Sequence, residues 1–480
     1  MRKIITAALG TLLVGASSPA AASGFLAARF GGELGHPTTD NPTAIYYNPA
    51  GLSLAKGTRI YLDGTFALRH ASYERPEGAI GNVTTEGEQV SGTPQDGIAA
   101  NSGKADLTNF IASPFAAVVS DLGVPNLGVA LGFYVPFGGT AVWSKNESYA
   151  SGTLAEKYPG AVDGVQRWWT EDGKIQSLYL TAAGSYRLEE PKLSFGVAVS
   201  AINYVLHTVR ARNGDGTDDL VDGNGDPKEQ RSLLDVSGWD VGVGAGVIWE
   251  PVDGLYFGLS YQSRPGFGDS IMKGTLKTSF GGNVSEDDVK VSQGLPDIWR
   301  AGARWRVDPE WELRLFGEFV RWSFLKRQCV MPDVSGATCH IKEDGSTTAD
   351  SSDVIQNIER QWKDAFGIRA GASWWPSEPL QLVLGAGYDF NAIPDHTLDP
   401  SFYDMGKATV SLGARYELFE NVAVAATFTQ VIYADRTISV EDGQSFAPGQ
   451  HYLPPTAQPN SAGTYKQSIS VLDVNAEYTF

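Results

Sequence analysis

Hydrophobic and polar residues alternate one by one along many separate segments of this chain. In the last, Leu472, Val474, Ala476, Tyr478 and Phe480 share one side, and Asp473, Asn475, Glu477 and Thr479 the other. Ala408, Val410, Leu412, Ala414, Tyr416 and Leu418 alternate in the same way with Thr409, Ser411, Arg415 and Glu417. Ile60, Leu62, Phe66 and Leu68 stand against Arg59, Asp63 and Arg69, and Trp299, Ala301, Ala303, Trp305 and Val307 against Arg300, Arg304 and Arg306. A strand sends successive side chains to opposite faces, so each segment offers one face to hydrocarbon and one to water, as a transmembrane barrel strand of roughly ten residues does. A soluble sandwich also alternates, but it seldom places aromatic residues at the strand ends. Here Trp249, Trp305, Trp311, Trp322, Trp374, Trp375, Tyr261, Tyr416 and Tyr478 lie near segment ends, where interfacial girdles form.

Connections fall into two lengths. Short turns at 123–126, 189–191, 251–254, 308–310, 376–378 and 420–421 alternate with long polar stretches at 70–107, 141–173, 213–233, 266–293, 326–360, 394–404 and 436–464. That asymmetry predicts an all-β, transmembrane antiparallel barrel of about fourteen strands, with short periplasmic turns and long outer loops. The strands are placed near 58–69, 108–121, 126–140, 174–188, 192–212, 234–250, 254–265, 294–307, 311–325, 361–375, 379–393, 405–418, 422–435 and 465–480. A content of 55 Gly, 12 Trp, 19 Tyr and 21 Phe suits one large β unit over residues 58–480.

Arg2 and Lys3, an apolar run from Ile4 to Val14, and Ala20 and Ala22 ahead of Ser23 read as a signal peptide over 1–22. Residues 23–57 are rich in Gly and Ala and do not alternate. A fourteen-strand lumen is too wide for wall side chains alone to fill, so this leader is expected inside it as a plug, with Tyr46, Tyr47 and Pro49 forming a packed turn. A net charge of −18, with no run of basic residues evident along the chain, argues against nucleic acid as a partner.

The Ser23-Gly24-Phe25 start, the Gly-rich leader, the Asn48-Pro49-Ala50 tripeptide before the first strand, the strand number and the terminal Phe480 together resemble the FadL/TodX family of Gram-negative outer-membrane transporters for long-chain fatty acids and other hydrophobic compounds. The resemblance implies a hatch latched by Asn48, Pro49 and Ala50, an outer groove, a deeper apolar pocket, a kinked third strand, monomeric action and no cofactor. The kink can also be argued from the residues. Pro136, followed by Phe137, Gly138 and Gly139, gives no amide hydrogen to a closed barrel that has no edge to hide it, and Pro114 of strand two is expected in the same seam as a lateral gate; the alternative is that each proline sits at a strand's outer end, beyond the membrane, where it costs little. The function expected is passive, ligand-gated uptake. The alternative is a surface receptor or adhesin working through its loops.

Arg300, Arg304 and Arg306 share an inward face and would either meet a carboxylate head group or pair with Glu312 and Glu318. Cys329 and Cys339 read as a loop-closing disulfide, ahead of free thiols or metal ligands. Asp215, Asp219, Asp222, Asn224 and Asp226 resemble a calcium loop, but Pro227 and Leu233 depart from the EF-hand pattern, so a solvated acidic loop stands beside that reading, as does divalent bridging to lipopolysaccharide. Gly242, Gly244 and Gly246 are read as a close-packed strand and not a nucleotide loop. With six scattered histidines and no G-x-S-x-G, P-loop or H-E-x-x-H motif, no enzyme is expected.

Overall fold

A computed structural model describes residues 29–81, 93–280, 283–444 and 452–480. The expected signal peptide and the Ser23-Gly24-Phe25 start lie outside these residues. In chain order the strands are β1 (Thr58–Arg75), β2 (Gly103–Ser120), β3 (Leu127–Val142), β4 (Asp172–Leu188), β5 (Leu193–Arg212), β6 (Gln230–Val252), β7 (Leu255–Gln262), β8 (Ser270–Phe280), β9 (Asn283–Gln293), β10 (Ile298–Arg306), β11 (Trp311–Val320), β12 (Arg327–Pro332), β13 (Gln356–Glu359), β14 (Ala365–Ser377), β15 (Leu380–Asp389), β16 (Lys407–Phe419), β17 (Val422–Tyr433), β18 (Arg436–Ile438) and β19 (Gly463–Thr479).

Fourteen of them close an antiparallel ring, in which β1 to β7 are followed by β10, β11, β14, β15, β16, β17 and β19, and β19 pairs back onto β1. The other five stand on the long-loop side. β8 continues the pairing of β6 and joins β9, which joins β12 and then β13, while β18 lies on β19. The stretches 266–293 and 326–360, expected as polar connections, therefore extend the wall. Their alternation was obscured by Lys, Asp and Glu on the outer face.

Polarity in the wall is inverted relative to a soluble protein. Leu131 and Leu412 are 67% and 60% exposed, whereas Arg300 and Asp473 are each 1% exposed. Hydrocarbon, not water, is the medium that makes such an exterior stable. Trp249, Trp305, Trp311, Trp374, Tyr416 and Tyr478 are exposed near the short-turn end, and the tilted rings of Trp299 and Tyr261 pack with centroids 4.6 Å apart near the opposite end. Trp322 does not belong to a girdle. β11 ends at Val320, and Trp322 turns inward in a short 3-10 segment to pack against Trp362, with ring centroids 4.8 Å apart.

The leader touches strands all round the ring. Asp40 pairs with Arg304 of β10 at 3.1 Å, and its carbonyl accepts from Arg59 of β1. The Tyr47 carbonyl accepts from Ser260 of β7, and the Gly31 amide donates to Asp63 of β1. Leu52 abuts Gly128 of β3, and Glu33 abuts Gly385 of β15. A segment that meets both halves of a closed ring from the polar side lies across its hollow.

Candidate functional site

The Asn48-Pro49-Ala50 turn is built by capping chemistry. Pro49 opens the 3-10 segment Pro49–Leu54, where its missing N–H is no loss, and the Asn48 Oδ1 accepts from the Ala50 amide at 3.1 Å. The Asn48 Nδ2 donates to the carbonyls of Pro37 at 2.8 Å and Val247 of β6 at 3.1 Å, so one fully buried side chain ties two parts of the leader to the wall. The wall admits it through glycine. A Cβ at Gly246 would lie 2.0 Å from the Asn48 Oδ1, and one at Gly196 of β5 would lie 2.2 Å from the Ala50 nitrogen. The glycines of β6 are thus explained partly by the leader and not by strand packing alone.

The β2–β3 seam is incomplete. Pairing runs from Ser120↔Val129 to Phe115↔Tyr134 and stops. On its other edge β3 resumes pairing with β4 at Phe137↔Ser177 after Tyr134↔Tyr179, so Val135 and Pro136 stand opposite Leu178 alone. Pro114 and Pro136 flank the point where the β2–β3 ladder ends. Beyond it, among the described residues, the strands are joined by the Ser113 hydroxyl donating to the Val135 carbonyl, by Asn109 donating to the Thr140 carbonyl and hydroxyl at 2.5 and 2.8 Å, and by a single bridge between Leu107 and Trp143.

The last paired residues carry the leader's aromatics. Phe115 and Tyr134 point inward and stack at 5.5 Å; Phe30 lies 4.9 Å from Phe115, and Tyr46 lies 5.4 Å from Tyr134. From here one apolar cluster continues through Tyr179 to Leu206, Leu234, Met272, Val291 and Val330.

Those distal members line a cavity of about 140 Å³. Phe137, Gly138 and Gly139 form one side of it; Trp169, Trp322, Trp362 and Phe402 form another. No side chain stands within 4 Å of where a Gly139 Cβ would be, so the cavity meets the broken seam at open space. Its cations are Arg69, Lys174, Arg210 and Arg360. Arg360 is engaged by Asp399 at 2.7 Å and Gln328 at 2.9 Å, while Arg210, 5% exposed, has Gln458 as its hydrogen-bond partner and no ion pair among the described residues.

The three arginines singled out in the sequence do not gather here. Arg300 lies over the Tyr46 ring at 4.5 Å and beside Glu318 at 3.5 Å; Arg304 pairs with Asp40 and, at 3.9 Å, Glu312. Arg306 sits at the short turn, donating to the Asp308 and Pro309 carbonyls over Trp375. Arg300 and Arg304 serve the leader and the lumen acids, and none of the three lines the cavity. Arg210 was missed, although the inward row of β5 carries a signal. It runs Ser194, Gly196, Ala198 and Ser200, then becomes Ile202, Tyr204 and Leu206 before Arg210, a polar face turning apolar toward a final cation.

In the acidic loop a lysine stands among the carboxylates that resemble calcium ligands. Lys228 stands between Asp215 at 2.6 Å and Asp219 at 3.0 Å, while Asp222 accepts from the amides of Asn224 and Asp226 within its own turn. Burial pushes the Asp215 carboxyl up, but the Lys228 contact and the hydrogen bonds from the Thr217 hydroxyl and amide together hold it below the usual carboxylate range. No group of three His, Cys, Asp or Glu side chains suited to a metal occurs among the described residues. Cys329 and Cys339 form a disulfide.

A closed, inside-out barrel with a leader across its hollow and an apolar cavity above it defines an outer-membrane transport barrel. The model for outer membrane protein transport proteins (OMPP1/FadL/TodX) matches residues 17–480, and the chain belongs to that family of the Gram-negative outer membrane. It is 22% identical over 346 residues to a long-chain fatty acid transport protein of Escherichia coli O6:H1, covering 67% of this chain and 72% of that one. To outer membrane protein P1 of Haemophilus influenzae it is 24% identical over 417 residues, covering 80% and 79%. A FadL homologue from Pseudomonas aeruginosa superposes with a TM-score of 0.68 at 15% identity, covering 96% and 99% of the two chains. The Pseudomonas putida toluene transporter TodX superposes with 0.59 at 14% identity, covering 92% and 94%.

Proposed function

We propose that this chain takes up long-chain fatty acids, or hydrophobic molecules of similar shape, passively, with the leader as a hatch and release into the membrane through the β2–β3 seam. The observation that carries the reading is that Gly138 and Gly139 belong at once to the cavity lining and to the stretch of β3 that has no ladder partner in β2. The reading is supported further by the names of the matched Escherichia coli relatives.

An acyl chain gains about 0.8 kcal/mol per methylene removed from water, so it follows apolar surface and does not pass readily down an aqueous pore. Sixteen buried carbons are worth on the order of 12 kcal/mol gross, which would trap the ligand in a rigid site. Release therefore needs a second state in which the cavity binds less well. The cluster shared by Phe30, Tyr46, Phe115 and Tyr134 supplies the coupling: a ligand that displaces Leu206 or Met272 presses on the same packed group that holds the leader and the last pair of the seam. The protein acts as a monomer with no energy source of its own, and lipopolysaccharide surrounds its outer rim.

Within this reading Arg210 takes the carboxylate. In detergent, Arg210→Gln is expected to weaken oleate binding about tenfold or more, the loss of a charge-assisted hydrogen bond in a buried site, while leaving a long-chain alkane's affinity within about twofold. Equal loss for both ligands would count against a head-group role, and no loss for either would remove the carboxylate from the proposal.

A further inference from the structure

Where β8, β9 and β12 carry the wall outward beyond the ring, alternation gives it two different faces. Met272, Val291 and Val330 look into the cavity, and their sequence neighbours Lys273, Lys290 and Cys329 line an open basin of about 970 Å³ on the opposite, external face. In a chain of net charge −18 this basin is basic, with Arg264, Lys273, Lys290, Lys326 and Arg327 against Asp269 and Asp333. Asp333 is committed to Lys273 at 2.8 Å and Arg327 to Glu359 at 3.3 Å. Arg264 lies 4.1 Å over the Phe324 ring, Lys290 donates to the Val334 carbonyl, and neither these two nor the exposed Lys326 makes an ion pair among the described residues.

The height of the basin is set by its neighbours. Arg264 follows the end of β7 by two residues, just outward of the packed Tyr261 and Trp299 rings that mark the interface. Ile271, 45% exposed, lines the basin, and Phe267, 57% exposed, lies beside it, its carbonyl accepting from Arg264 at 2.7 Å. Cations with no ion pair among the described residues, beside exposed apolar side chains on the side that faces lipid, match an amphiphile with anionic groups and not a free ion.

We propose that this basin docks a phosphorylated glycolipid of the outer leaflet, with its phosphates at Arg264, Lys290 and Lys326 and its chains against Phe267 and Ile271. The site is separate from the transport cavity and does not depend on what the cavity carries.

The test is native mass spectrometry of the detergent-solubilised full chain titrated with diphosphorylated lipid A, with the same lipid after dephosphorylation, and with inorganic phosphate as competitor. Wild-type protein is expected to bind the phosphorylated lipid at least about tenfold more tightly than either the dephosphorylated lipid or the double variant Lys290→Glu/Lys326→Glu binds it, from the attraction each cation adds at an anionic surface. The variant Lys290→Arg/Lys326→Arg is expected to keep wild-type affinity, and both variants should keep the heat-modifiable migration of a folded barrel. Binding of the Glu variant within twofold of wild type, or equal binding of the dephosphorylated lipid, would overturn the proposal. So would displacement of the lipid by inorganic phosphate at equal concentration, which would mark the basin as a free-anion site.

Discussion

Cross-linking the seam is expected to reduce uptake of labelled oleate to the level of cells lacking the protein. The variant Asn109→Cys/Thr140→Cys replaces the side-chain contact, now 2.5 and 2.8 Å long, that ties the unpaired halves of β2 and β3. Oxidised, it would hold the strands together where no ladder pair does; reduced, it should recover most of the activity. Wild-type protein given the same reductant is the control, because the native Cys329–Cys339 bridge has a fully buried partner in Cys329. The effect should be large because the remaining route lies past the leader, whose Asn48 and Phe30 are both fully buried. Full uptake by the oxidised variant would assign the exit to the hatch.

The second large effect is expected from undocking the leader. Asn48→Ala leaves the Pro37 and Val247 carbonyls and the Ala50 amide without their partner, and a buried polar group left unpaired costs about 1–3 kcal/mol. Gly196→Leu drives a side chain into the Ala50 nitrogen, which a Cβ alone would approach to 2.2 Å. A combined loss of about 3 kcal/mol shifts the docked-to-undocked ratio by more than a hundredfold. In planar bilayers both variants should show frequent large openings where the wild type is nearly silent, and cells carrying them should become sensitive to bulky antibiotics. The barrel itself should survive, since Asn48 lies outside the ladders and residue 196 pairs with Ser185 and Gly246 through its backbone, which the substitution keeps. Silent variants with normal migration on gels would remove the leader as the barrier.

The wall was legible because the side to which a strand residue points depends on its position and on nothing distant. Leu472 and Asp473 declare their faces within two residues, and each lies where its polarity requires. Pro114 and Pro136 were legible as defects, since a residue without an amide hydrogen weakens a ladder wherever the partner lies. The extent of the gap was not, because it depends on which β2 residues find partners after Phe115. The cavity was least legible. Its lining comes from β1, β3, β4, β5, β6, the β8–β9 hairpin, β12, β13 and the loops that carry Trp169, Trp322, Trp362 and Phe402, and no local pattern says that these meet. Trp322 shows the cost of reading locally: at a predicted strand end it resembles a girdle residue, yet the strand stops early and the ring turns inside. Gly246 shows the converse, since its role is set by Asn48, 198 positions earlier in the chain.

The central claim, that a hydrophobic ligand occupies the apolar cavity and leaves by the adjoining seam, is tested most directly by locating the ligand. Crystals grown with a long-chain acid brominated at its methyl end should show bromine density inside the wall between Trp322 and Gly139, with the carboxylate toward Arg210. Bromine density confined to the detergent belt outside Leu131 and Leu180, with the cavity holding only water, would contradict it.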